Sequence, residues 1–207
     1  MKVEDRKLMN PRPETIRAFV AILLPEELVK RLAALQEELQ SKLPAAAVRW
    51  TRPEQIHLTL KFLGNVEKRR LAELTAALQQ ACQAVPALRL RAQGLGFFPP
   101  RQPPRVIWIG VHDGSRALHQ LQHLVEEAAG TFTQQKPADV FTGHLTIGRA
   151  KNLSRGQAER LADFSEKIKD RVLGEWKAET VELMRSQLSP EGSRHSCLAS
   201  ISINKVE

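Results

Sequence analysis

The sequence predicts an α+β fold of two pseudo-symmetric lobes, each an antiparallel sheet with flanking helices, around a central cleft. Three observations lead there. His57-Leu58-Thr59-Leu60 returns 87 positions later as His144-Leu145-Thr146-Ile147. With six His and nine Thr in 207 residues, chance supplies roughly 0.3 His-x-Thr triplets, so a second copy with the same middle residue and an apolar follower marks an internal repeat. Leucine stripes at helical spacing alternate with short strand-forming runs in two similar rounds. Finally, the length suits one large domain or two small lobes, either of which buries a core without disulfide or metal staples.

Taken in order, residues 1 to 13, charged and broken by Pro11 and Pro13, read as a loose tail, and residues 14 to 207 as one bilobal domain. A first strand is expected over Ile16–Leu23. The apolar run Ala18–Leu24 behind several basic residues imitates a secretion signal, but it is short, stops at Pro25 and has no small-residue cleavage pattern. Pro25 suits the first position of a helix whose stripe is Leu28, Leu32, Leu35, Leu39 and Leu43, ended by Pro44. Val48–Trp50 reads as a short strand and Ile56–Phe62 as the first motif strand, closed by Gly64-Asn65. A helix over Val66–Ala84 and an alternating strand over Leu88–Ala92 follow. Gly94–Pro104, rich in Gly, Pro and Phe, reads as a loop with an aromatic tip, and Val106–Val111 as a buried strand. The rest of the chain offers a helix over Ser115–Ala129 ended by Gly130, the second motif strand over Phe141–Arg149, and a helix over Ser154–Lys169. Last come strands near Glu175–Leu188 and His195–Ile203.

In an extended strand His57 and Thr59 share one face, with Leu58 and Leu60 on the other, and the second copy repeats this for His144 and Thr146. Two such strands brought together set two imidazoles and two hydroxyls around one cavity. One imidazole can then act as general base and the other as general acid, while the hydroxyls donate to an anion, a chemistry suited to displacement at phosphorus. Strict alternation puts Lys61 on the same face, extending the anion site. Its counterpart is Gly148, and Arg149 falls on the opposite face unless a kink at Gly148 turns it back.

The formal charge of +8 and the pI near 9.9 attract anions, nucleic acid included, or simply keep a basic surface soluble. Cys82 and Cys197 are far apart and lack metal-ligand spacing, which points to a reducing cytoplasm. His119 and His123 stand i, i+4 on a helix without the Glu of a metalloprotease pattern, and read as a solvated face. His112 and His195 have no partner visible in the sequence. Phe19 reads as core, while Phe97 and Phe98 are open to stacking on a base. No P-loop and no carboxylate cluster for a metal is found, and no apolar run approaches the length of a membrane helix.

The tetrapeptides together with RAFVAI and Leu24-Pro25, Val48-Arg49-Trp50, HLTLKFLG from His57, Gly94-Leu95-Gly96 with Phe98-Pro99, Val106-Ile107-Trp108-Ile109-Gly110 and HLTIGR from His144 resemble the two-histidine (2H) phosphoesterases. The LigT-like RNA 2′,3′-cyclic phosphodiesterases are the most similar branch. The resemblance covers about residues 15 to 203 and implies metal-independent, cofactor-free hydrolysis of RNA 2′,3′-cyclic phosphate termini to 2′-phosphates, with reverse 2′,5′ joining of RNA ends. It implies His57 as acid, His144 as base, Thr59 and Thr146 as phosphate donors, and Arg149 and Lys61, at positions usually basic in the family, as substrate-binding residues. The partner expected is an RNA or oligonucleotide bearing a cyclic phosphate end, met by a monomer with no metal and no membrane. The family's usual Tyr three residues after a Gly near the end is here His195, and the chain contains no Tyr. The rival readings are an RNA- or nucleotide-binding module without turnover, and a phosphodiesterase for another cyclic phosphate such as ADP-ribose 1″,2″-cyclic phosphate.

Overall fold

A computed structural model describes residues 13–100, 103–136, 140–189 and 192–203. All of the expected tail except Pro13 lies outside these residues. Among them are nine strands, β1 (Thr15–Ile22), β2 (Val48–Trp50), β3 (Leu58–Glu67), β4 (Leu88–Phe98), β5 (Val106–Asp113), β6 (His144–Ala150), β7 (Val172–Ala178), β8 (Thr180–Ser189) and β9 (Gly192–Ser202). Four α-helices join them: α1 (Glu26–Gln40), α2 (Leu71–Gln83), α3 (Ala117–Ala129) and α4 (Arg155–Ile168).

The helices form where the leucine stripes place them. Leu28, Leu32, Leu35 and Leu39 of α1, and Leu74, Leu78 and Cys82 of α2, are buried. Pro25 caps α1 from the position just before its first turn, where an absent N–H costs nothing. Ser154 starts α4 with a reciprocal capping box, its hydroxyl accepting from the Gln157 amide while the Gln157 side chain accepts from the Ser154 amide.

The strands form one curled antiparallel sheet in the order β7-β4-β5-β6-β3-β1-β8-β9, with β2 attached to β6. Its two four-stranded arms meet in a single pair, Leu58 opposite Leu145, at the heart of the two motifs. The symmetry runs outward from there: β3 answers to β6, β1 to β5, β8 to β4 and β9 to β7. The lobes expected as separate sheets are thus fused into one. Helices cover one face, with α2 on β9, α3 on β3, α1 on β7 and α4 on β4, and their apolar stripes join Ala18, Val20 and Ile22 of β1 in a core continuous through both arms. The opposite face, which carries Phe19, Ala21 and Met184 as a small separate cluster, holds the cleft.

Both motif strands carry a β-bulge at the same place. Val20 pairs with Lys61 and Ala21 with Thr59, skipping Leu60; Ile107 pairs with Gly148 and Trp108 with Thr146, skipping Ile147. A bulge admits one extra residue and resets which face the following side chains take. Leu60 and Lys61 are therefore both buried, as are Ile147 and Gly148, and the next residues, Phe62 and Arg149, return to the cleft. The Ile147 carbonyl accepts from the Thr51 amide at 3.0 Å and from the side-chain amide of Gln36 at 2.7 Å. Gln36, buried in α1, thus supports the second bulge, a role its place beside Leu35 did not reveal.

Gly148 is required by packing. A Cβ there would stand 2.8 Å from Val48 Cγ1 and 3.1 Å from the Trp50 ring, so Gly148→Ala must push β2 away from β6. Overpacking of this kind costs about 1–3 kcal/mol, and the thermal midpoint should fall by roughly 2–4 °C for each kcal/mol in a chain of this size. A melting curve unchanged from the parent would show that β2 yields freely.

Several boundaries differ from expectation. Gly64, at φ +67°, does not close β3 but carries it on to Glu67, and Gly94, at φ +72°, marks an irregularity in β4, which runs on to Phe98 where a loop was expected. The strand region near Glu175–Leu188 is cut at Glu179 into β7, which pairs with β4, and β8, which pairs with β1.

Candidate active site

A cleft of about 670 Å³ lies on the open face of the sheet where the arms meet, lined by His57, Thr59, Thr146 and Arg149 together with Phe62, His195 and other residues from both arms. A smaller adjoining hollow of about 400 Å³ reaches His144 and shares Thr59 and Phe62 with the first. His57 stands one residue ahead of β3 and His144 is the first residue of β6. The structure therefore brings together both motifs, as the repeat required.

The two imidazoles are held alike. His57 Nδ1 lies 2.7 Å from the Gln55 carbonyl and His144 Nδ1 lies 2.7 Å from the Thr142 carbonyl, each two residues upstream. A carbonyl only accepts, so each Nδ1 carries the proton and donates it, which leaves Nε2 of each ring for substrate. Aromatic rings back both histidines: Phe19 stacks on His57 at 4.8 Å between centroids, and Phe98 meets His144 edge-on at 5.1 Å. Phe19 is buried, as expected, and its part is to seat His57.

Burial pulls the His57 imidazole down to about 4. The Gln55 hydrogen bond works against this, while the neighbouring His195 and His144 reinforce it. His57 is accordingly neutral at pH 7.

Arg149 takes the cleft face because the bulge at Ile147 reverses the alternation, the outcome anticipated for a kink at Gly148. Lys61 does not share a face with His57 and Thr59. The matching bulge turns it inward, 5% exposed, where its ammonium pairs with Glu126 of α3 and donates to the Gln135 carbonyl at 3.3 Å. The symmetric counterpart of Arg149 is thus Phe62, 58% exposed in the cleft.

His195 is the residue that sequence reasoning missed. It lies on β9 opposite Ser186, edge-on to His57 at 5.3 Å and to Phe19 at 4.9 Å, and burial lowers its pKa. Its position three residues after Gly192 was the one available signal. Of the helical pair, His123 lies on a solvated face beside Glu127 at 3.5 Å, and His119 meets Phe141 edge-on. Among the described residues no group of three or more His, Cys, Asp or Glu side chains is placed to hold a metal ion, and no helix is long and apolar enough to cross a membrane.

Known proteins share this sequence and fold. Residues 22–108, which include the first motif, match the family described as LigT like phosphoesterase. The chain is 30% identical over 177 residues to an RNA 2′,3′-cyclic phosphodiesterase of Methanocaldococcus jannaschii, spanning 86% of this chain and 95% of the relative. To an enzyme of the same name from Thermus thermophilus it is 30% identical over 194 residues, spanning 91% and 90%. A crystal structure of a Thermus thermophilus protein superposes with a TM-score of 0.72 at 27% identity, covering 93% of this chain and all of that one. Escherichia coli LigT complexed with 3′-AMP, 21% identical, shares the fold with a TM-score of 0.72 over 92% of this chain and 99% of that one. With relatives 30% identical along nearly their whole length and a doubled His-x-Thr motif meeting at one sheet junction, the chain belongs to the LigT-like phosphoesterases of the two-histidine superfamily.

Proposed function

We propose that the chain hydrolyses RNA 2′,3′-cyclic phosphate ends to 2′-phosphates, with His57 and His144 as paired proton carriers. The observation that carries this reading is the identical seating of the two rings, each locked by a carbonyl in the tautomer that leaves Nε2 for substrate. A module that only binds has no need of two imidazoles so prepared. Thr59 and Thr146 supply hydroxyls to the non-bridging phosphate oxygens, and Arg149 supplies charge.

One imidazole takes a proton from water as the water oxygen bonds to phosphorus. The bond from phosphorus to the 3′ oxygen breaks, and the other imidazolium gives its proton to that oxygen, leaving a 2′-phosphomonoester and a free 3′ hydroxyl. The base ends protonated and the acid neutral, and proton exchange with solvent restores them. With an RNA 5′ hydroxyl in place of water, the same steps join two ends through a 2′,5′ linkage. The core shared by both arms supports residues 14 to 207 working as one domain. Free thiols at buried Cys82 and exposed Cys197 fit a reducing cytoplasm, and one chain supplies both histidines of the site.

The test is the product formed from a short oligonucleotide ending in a 2′,3′-cyclic phosphate, with strong chelator present. A 2′-phosphate is expected; a 3′-phosphate, or activity lost to chelator and restored by a divalent metal, would overturn the mechanism. Thr59→Val and Thr146→Val should each lower kcat by about 10²-fold, the scale of one lost oxyanion donor, and Thr→Ser should cost much less. Equal losses for Val and Ser would make these threonines packing residues.

A further inference from the structure

The cleft holds more positive charge than one cyclic phosphate requires. Arg17, Arg49, Arg52 and Arg149 line it with His57 and His195, and among the described residues no carboxylate does. Several arginines elsewhere on the surface are paired, Arg70 with Glu73, Arg91 with Glu175, Arg155 with Glu159 and Arg171 with Glu38; others, such as Arg89 and Arg160, stand singly among the described residues, and what sets the cleft apart is four guanidiniums gathered on one lining. The four cleft guanidiniums have no ion-pair partner among the described residues. Two of them, Arg49 on β2 and Arg149 on β6, sit directly opposite one another across the strand pair, a like-charge placement that destabilises a sheet unless an anion relieves it. A 2′,3′-cyclic phosphate carries a single negative charge, which Arg149 and the two threonine hydroxyls already meet.

We propose that Arg17, Arg49 and Arg52 form a track for the internucleotide phosphates upstream of the cyclic end. The substrate class is then an RNA chain of several nucleotides rather than a cyclic mononucleotide. The inference rests on the proposed function for the identity of the reacting end, but the charge argument itself needs only a ligand with successive phosphates. Arg17 comes from β1 in one arm, while Arg49 and Arg52 belong to β2 and the turn after it in the other, so a strand laid along the track passes between the arms. Contacts to phosphate carry no base information, and the preference should be for length and not for sequence.

The experiment compares kcat/KM for a cyclic mononucleotide and for a tetranucleotide with the same cyclic end, between about 50 and 200 mM salt, alongside anisotropy binding of a labelled tetranucleotide ending in 3′-phosphate. The tetranucleotide should be preferred, and its log kcat/KM should fall with log salt more steeply by about 0.7 for each added phosphate engaged. In Arg17→Gln/Arg52→Gln, where both side chains are exposed and a melting curve checks the fold, the ratio of the two kcat/KM values should drop toward one and tetranucleotide binding should weaken. A parent ratio near one, or equal losses on both substrates in the variant, overturns the track while leaving hydrolysis standing. Salt-steep, arginine-dependent binding without turnover keeps the track and removes the proposed function. Inorganic tripolyphosphate is the control: if it binds through Arg17 and Arg52 while the tetranucleotide does not, the site serves a polyphosphate and the RNA track is wrong.

Discussion

His144→Ala is expected to lower kcat on a cyclic phosphate RNA end by about 10²–10⁴-fold, the range of a lost general acid or base, and to be equally crippled on an activated aryl phosphodiester. His57→Ala should fall as far on RNA but recover much of its activity on the aryl ester, whose leaving group departs without a proton. This is the pattern if His57 is the acid and His144 the base. Recovery by His144→Ala instead would reverse the roles, and recovery by neither would end the simple division of labour. Burial holds His57 near 4 and so neutral at pH 7, the state of a base. For His57 to serve as acid, the phosphate anion must raise it on binding.

The pH profile carries the same argument with a definite sign. Hydrolysis needs one ring neutral and one charged, so kcat/KM should be bell-shaped. Its acid limb should lie near 4, where His57 takes up a proton as pH falls. An anion between the rings favours the protonated form, so the acid limb of kcat, which reports the bound state, should stand at higher pH than that of kcat/KM. Coincident limbs would show that the phosphate does not sit against His57.

Lys61→Met should lower the thermal midpoint by roughly 10 °C. It strands the Glu126 carboxylate, whose side chain is only 16% exposed, and breaking one partner of a buried pair costs about 3–5 kcal/mol, at about 2–4 °C per kcal/mol. Lys61→Met/Glu126→Leu should recover most of the loss, because two apolar groups replace the pair without leaving a charge behind. If the double variant is stable yet has a KM raised as far as in Arg149→Ala, Lys61 acts on substrate after all and Glu126 merely holds it.

The contrast between Lys61 and Arg149 shows where the sequence could be read and where it could not. The histidines, the threonines and the leucine stripes of α1 and α2 follow local periodicity, which needs no knowledge of neighbours. Which face Lys61 takes depends on a bulge defined by pairing with β1, and that partner lies some 40 residues away in the chain. The Gly148 kink was readable because a glycine marks it; the Leu60 bulge has no such mark. Phe62, Gln36 and His195 entered the picture for the same reason, since each acquires its role from a strand or helix distant in sequence. Glu179, one residue in a continuous strand-forming run, divides β7 from β8 with no turn chemistry to announce it.

That one residue has a mechanical meaning. β7 ends one arm of the strand order and β8 stands next to last in the other, yet Ala178 and Thr180 are joined through Glu179 alone, whose carbonyl is in turn bonded by the Ile203 amide at 2.9 Å. Two peptide steps span at most about 7 Å, so the outermost strand of one wall is stitched covalently to the next-to-last strand of the other, while the inner strands share the Leu58 and Leu145 pair. The two motif strands therefore lie on a closed circuit of strand pairing and covalent chain, running from the Leu58 and Leu145 pair out through both arms and back through Glu179.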